Sequence, residues 1–249
     1  MAFVSARRIR RPGWTWTFPL QQVRCCAGSS SDVLTASAAT DVARLGGAIA
    51  AHVRQVGSAS IRCIGPKAAY RSVKSVVNAS DYLSRDPDAL EDRFLGMEVS
   101  KRKARRREES EPAEHSNELH LRVHPVQLPA GAFQKSKPAV ELLVGASTQP
   151  GKAAAAMAGA LRPMGGGHGK YPLVRGIGTL AIHRALVAAY LAQTYLDNDD
   201  RGVRFLVVPR FVQEETQTGS GFRNQLVLRL VRWAADAPKG PVYCEGGCT

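Results

Sequence analysis

Between Leu173 and Leu191 the apolar positions change period. Leu173, Val174 and Ile177 read as a short strand, and beyond Gly178 the apolar residues return at helical intervals. Gly176 and Gly178 stand at the change, where a Cβ crowds a tight strand-to-helix turn. The same switch occurs over residues 61–73, around Gly65-Pro66. Both stretches fit the frame Arg-x-Ile-Gly-x-x-Ala-x-x-Arg. Arg62, Ile64, Gly65, Ala68 and Arg71 fill it first, then Arg175, Ile177, Gly178, Ala181 and Arg184. Upstream, Leu34–Ser37 before an Ala/Gly-rich run (Val42 to Val53) answers Leu143–Ser147 before Ala153 to Leu161. Downstream, Arg93-Phe94-Leu95 answers Arg204-Phe205-Leu206, and Leu119–Arg122 answers Leu226–Arg229. A shared order of this length predicts a duplicated domain, each copy β–α–β–α–β–β.

The pattern places the first copy at 32–128 and the second at 139–233. Between them, 129–138 is a linker by its Pro, Gly, Ser and Lys content, and 234–249 is a tail. In the first copy Thr40 or Asp41 is expected to cap a helix that ends at Gly57. A strand at 61–64 precedes a second helix at 66–83, which begins with a tolerated proline. Strands follow at 94–99 and 119–126, the latter alternating His120, Arg122 and His124 with Leu121 and Val123. In the second copy Pro209 lies within a strand at 203–212, which predicts a sheet edge or a bulge.

Charge narrows the function. The chain carries a formal +13, which favours a polyanionic partner. The basic residues are concentrated. Residues 1–31 contain five arginines and no acid, resembling a mitochondrial presequence, with a retained basic arm as the rival reading. A second block, Lys101, Arg102, Lys103, Arg105, Arg106 and Arg107, runs directly into Glu108 and Glu109. On the second helix of the first copy, Lys67, Arg71, Lys74 and Asn78 share a face opposite Ala69, Val73, Val76 and Val77, predicting a phosphate-contacting stripe. The corresponding stripe of the second copy, Leu180, Val187 and Leu191 around Arg184, is apolar and expects a protein cover, either the first copy or a neighbouring subunit, leaving nucleic acid to the first copy.

Catalytic chemistry finds no such pattern. Gly165–Lys170 lacks two fixed positions of a phosphate loop, and the G-x-G-x-x-A at Gly176–Ala181 is not set in a run of βαβ units. The histidines are scattered, no nucleophile–base set recurs, and the five cysteines fit no zinc spacing. The expectation is a non-enzymatic protein with no catalytic residues, no metal and no cofactor.

Both copies resemble the stage V sporulation protein S family, within the Alba-like superfamily of nucleic-acid-binding domains. In the first, Ser37-Ala38, the Ala/Gly-rich helix, Gly57, Ile61-x-x-Ile64-Gly65-x-x-Ala68 and Val73-Lys74-x-Val76 carry the likeness. In the second, Gln149-Pro150, Val203-x-x-x-Val207-Val208-Pro209-x-Phe211 and Leu226-x-Leu228 carry it. The resemblance implies an α+β fold of two tandem Alba-like βαβαββ two-layer domains, nucleic-acid binding, and pairing within or between chains. The family's loop lysine is replaced by Ala39 and Ser147, and its helix pair Asn-Gln by Tyr70-Arg71 and His183-Arg184, so contacts are expected to have moved to the arginines.

The reading is therefore an RNA-binding structural component of an organellar ribonucleoprotein such as the mitochondrial ribosome, in the mitochondrial matrix, with ribosomal RNA and neighbouring subunits as partners and no membrane. The rivals are an organellar DNA-binding nucleoid protein and a protein-only scaffold. Besides the stripe and the charged block, the expected nucleic-acid contacts are Arg62, Lys170, Arg175, Arg184, Arg210 and Arg223.

Overall fold

Left-handed glycines set the chain's corners. Gly57 ends the first helix at φ 82°, donating its N–H to Val53 O at 3.0 Å, while Gly65 (φ 83°) and Gly178 (φ 91°) turn strand into helix. The computed structural model describes residues 33–86, 93–101, 118–128, 140–162, 172–199, 202–215 and 222–233. The first half holds β1 (Val33–Ala36), α1 (Val42–Val56), β2 (Ala59–Ile64), α2 (Gly65–Leu83), β3 (Arg93–Lys101) and β4 (Glu118–Gln127). The second holds β5 (Glu141–Val144), α3 (Pro150–Leu161), β6 (Leu173–Gly176), α4 (Thr179–Asp197), β7 (Arg204–Glu215) and β8 (Phe222–Trp233). The expected linker, the tail, residues 1–31 and the glycine run at 165–169 lie outside the described residues.

All eight strands form one sheet in the order β1-β2-β4-β3-β7-β8-β6-β5. From either edge inward each half therefore runs first, second, fourth, third. Within a half the first two strands are parallel and the remaining pairings antiparallel. The halves meet at a seam where β3 and β7 pair antiparallel at Met97↔Val207, and α2 packs on α4 above it.

Pro209 thus sits in an interior strand, not at an edge of the whole sheet. β7 pairs with β8 along its full length but with β3 at one registered position, so its β3 side has little ladder for a proline to interrupt. Gly96 explains the close approach: a Cβ there would lie 2.8 Å from Val126 Cγ2 and 3.0 Å from Leu206 Cβ of the other half.

One core runs through both halves. It joins the inward residues of the four helices to one alternate set of strand residues, including Leu95, Met97, Val99, Leu121, Val207 and Leu228. All four helices consequently lie on one face. On the helix-free face a smaller cluster of Val126, Leu128, Leu206, Val208 and Val231, flanked by Phe94 and Trp233, also spans the seam. Each half has a matching clamp at its helix ends. Arg54 donates to both carboxylate oxygens of Asp86 at 2.8 Å, and Arg162 donates to those of Asp199 at 2.6 and 3.3 Å. No described helix is long and apolar enough to cross a membrane.

Candidate nucleic-acid interface

The α2 stripe is not a single free face. Asn78 faces α1, where a Cβ on Gly46 would come within 3.0 Å of Asn78 Cβ, and Ser75 Oγ donates to Val42 O at 3.0 Å. Charge pattern alone assigned that side to solvent, whereas a neighbouring helix occupies it. Arg71 donates Nη1 to Thr40 O at 2.6 Å, holding the β1–α1 turn. Lys74 lies 5.5 Å from the Tyr70 ring and 5.8 Å from the Phe211 ring, reaching across the seam. Only Lys67 is fully exposed.

The second half repeats the turn chemistry. Arg184 donates Nη1 to Thr148 O at 3.0 Å, as Arg71 does to Thr40. Thr148 Oγ1 accepts from Gly145 N at 2.8 Å and Thr40 Oγ1 from Ser37 N at 2.7 Å. These two arginines, expected at phosphates, are turn-holding residues. The expected protein-contact stripe on α4 divides: Leu180 is exposed, while Val187 and Leu191 already pack against the chain's own core. Part of the cover expected over α4 comes from the first half, whose α2 packs against it beside α3 and the sheet.

On the helix-free face, Arg62 Nε approaches Glu118 Oε1 at 2.8 Å, and His120 Nε2 shares that oxygen at 2.7 Å. Arg175 is paired with Glu141 and donates to Gln225 Oε1 at 3.3 Å. Arg210 lies 5.7 Å from the Phe94 ring. Arg223 is in β8, and Lys101 is exposed at the end of β3. Arg102, Lys103, Arg105, Arg106, Arg107 and Lys170 lie outside the described residues.

The residue missed by the sequence reading is Arg122. It is exposed on β4 between half-buried His120 and His124, directly opposite Ser60 of β2 and Glu98 of β3. The strict alternation over residues 119–124 was the signal. What the structure brings together is therefore a polar, cation-bearing strand face in the first half, whose hairpin runs out at Lys101 into the basic block.

Cys63, buried against Leu119 O, has its thiol pushed up to about 11 by burial, which suits a packed side chain and not a nucleophile. Among the described residues no His, Cys, Asp or Glu cluster is arranged to hold a metal ion.

Residues 32–91 match the family model described as stage V sporulation protein S (SpoVS), which supports one Alba-like domain in this chain. No curated protein matches the sequence. An α+β sheet-and-helix fold with an Alba-like domain in its first half is what the chain is similar to.

Proposed function

We propose that the chain is a non-enzymatic RNA-binding protein made of two Alba-like domains paired within one polypeptide. It serves as a structural component of an organellar ribonucleoprotein, such as the mitochondrial ribosome. The family match covers the first half; the repeated frame, the matched turns and the matching strand order support extending it to the second. The pairing habit of Alba-like domains is met internally by the β3–β7 seam.

The observation that carries the reading is the position of the basic block. It joins β3 to β4, where exposed Lys101 on the helix face and exposed Arg122 on the helix-free face continue its charge onto the two sides of the sheet. Phosphate contacts from such a surface give binding with strong salt dependence and little sequence preference. RNA contributes through backbone charge, and neighbouring subunits supply the remaining contacts.

The test is binding of the full chain to labelled single- and double-stranded RNA and to DNA of the same sequence, measured over a salt series. Replacing Lys101, Arg102, Lys103, Arg105, Arg106 and Arg107 with Ser is expected to flatten the salt slope. An unchanged slope removes the block from the interface. Sedimentation from organelle lysate with and without ribonuclease checks the assembly, and a DNase-sensitive peak would instead favour the nucleoid reading.

A further inference from the structure

Two histidines flank the seam, one on each face of the sheet. On the helix face, His183 of α4 is 8% exposed, its Nε2 is buried with no hydrogen-bond partner among the described residues, and the charge of Lys101 from β3 acts on it. On the helix-free face, the His124 ring of β4 lies 5.1 Å from the Trp233 ring of β8, and its Nε2 is likewise buried with no partner among the described residues. His124 thus meets the other half directly, and His183 is buried on α4, the helix that packs on α2 and β3 of the other half.

We propose that the joint between the halves is acid-sensitive, with His124 and His183 as paired sensors whose protonation loosens the β3–β7 and α2–α4 contacts. The surroundings give a proton little compensation. His183 has Lys101 on β3 and Arg184 on its own helix as its charged neighbours. Of the elements packed on α4, α2 brings Lys74, which is held over Tyr70 and Phe211, and α3 brings the exposed Lys152. The Glu141–Arg175 pair of β5 and β6 and Arg204 and Arg210 of β7 lie on the helix-free face, away from His183. His124 has Arg122 on its own strand and Glu98 on β3, the latter favouring the proton. Arg62 on β2 is paired with Glu118, and Arg210 on β7 lies over Phe94.

Burial is the leading cause that lowers both histidines, with neighbouring cations adding to it. The separated halves bind these protons more readily than the joined ones. The joint is thus most stable above the ordinary histidine value of 6.5 and loses stability as pH falls from there through the lowered values.

The experiment follows the imidazole resonances and amide hydrogen exchange of the full chain from about pH 8 to about pH 5, without nucleic acid. Both rings are expected to titrate below the ordinary value. Over the same range, protection of the β3 and β7 amides should fall by about tenfold relative to β2 amides, after correction for intrinsic exchange. The double variant His124→Gln, His183→Gln, neutral at every pH, should lose that response. Either ring titrating at or above its ordinary value overturns the proposal, as does an identical loss of protection in the double variant. If the variant does not fold, the wild-type titration and exchange decide alone. Because no RNA is present, failure here leaves the RNA-binding reading untouched.

Discussion

Arg122 and Arg229 occupy corresponding places in β4 and β8, opposite Ser60 of β2 and Leu173 of β6, yet their environments are opposite. Arg122 is exposed and Arg229 is 2% exposed. Their neighbours diverge in the same sense. Where the first half has His120, the second has Val227, and Leu173 replaces Ser60; both replacements are buried. The same backbone and the same side chain therefore serve two purposes. A guanidinium in water can meet a phosphate, whereas one taken out of water has to be satisfied by protein groups. On the helix-free face the surroundings of Arg122 are wet and those of Arg229 dry.

The strongest way to break the comparison is to break the seam that holds the two halves side by side. Gly96→Val puts a Cβ where Val126 and Leu206 already stand within about 3 Å, the Leu206 Cβ being fixed to its strand. Overpacking of this kind costs roughly 1–3 kcal/mol, and the upper end is expected because β7 has to shift. Equilibrium denaturation measures it. A loss below about 0.5 kcal/mol, within the range of ordinary surface changes, would show that the seam does not depend on the missing side chain.

The next effect separates the two arginines directly. Arg229→Met is expected to cost about 2 kcal/mol, because a buried guanidinium and the interactions it makes are lost. Arg122→Met should stay within about 0.5 kcal/mol in stability. The order should reverse for RNA: Arg122→Met weakens binding and reduces the salt slope by about one, while Arg229→Met leaves the slope alone. Denaturation midpoints and a salt series of binding isotherms check both. Equal effects on stability would mean the faces differ in accessibility but not in energetics.

Much of each half was legible because its signals are local. The turn glycines Gly57, Gly65 and Gly178, the Asp41 cap and the change of period at each strand–helix junction are written within a few residues. What joins the halves was not, because it depends on residues far apart. The Met97↔Val207 pairing, the Lys74 contact with Phe211 and the helix-end clamps 32 and 37 residues apart leave no mark in a local window. The site suffered from the same limit. Asn78 looked solvent-facing by charge pattern, and the correcting clue was Gly46, whose small size lets α2 approach α1. That Arg71 and Arg184 also hold turns was not legible, because only the fold brings the carbonyls of Thr40 and Thr148 beside them.

The smallest expected effect sharpens the comparison at the helix starts. Asp41 caps α1 by accepting from Arg44 N at 2.9 Å, and this bond, with one from Ala43 N, holds its carboxyl below the ordinary value of 3.8. Gln149, at the start of α3, makes no side-chain cap bond, since its amide is one carbon longer than the geometry accepts. Gln149→Asp should supply the missing acceptor, while Pro150 at the first turn leaves that helix start otherwise undisturbed. For a chain of this size the gain corresponds to a Tm rise of roughly 2–4 °C. The new carboxylate acts through its charged form, so the gain should be present at neutral pH and disappear as pH falls through a lowered carboxyl pKa. Paired melts of the variant and wild type at neutral pH and near pH 2–3 measure it. A gain that persists in acid would point to a change in helix propensity, and no gain at neutral pH would mean the α3 start is held by the Thr148 turn and Arg184 alone.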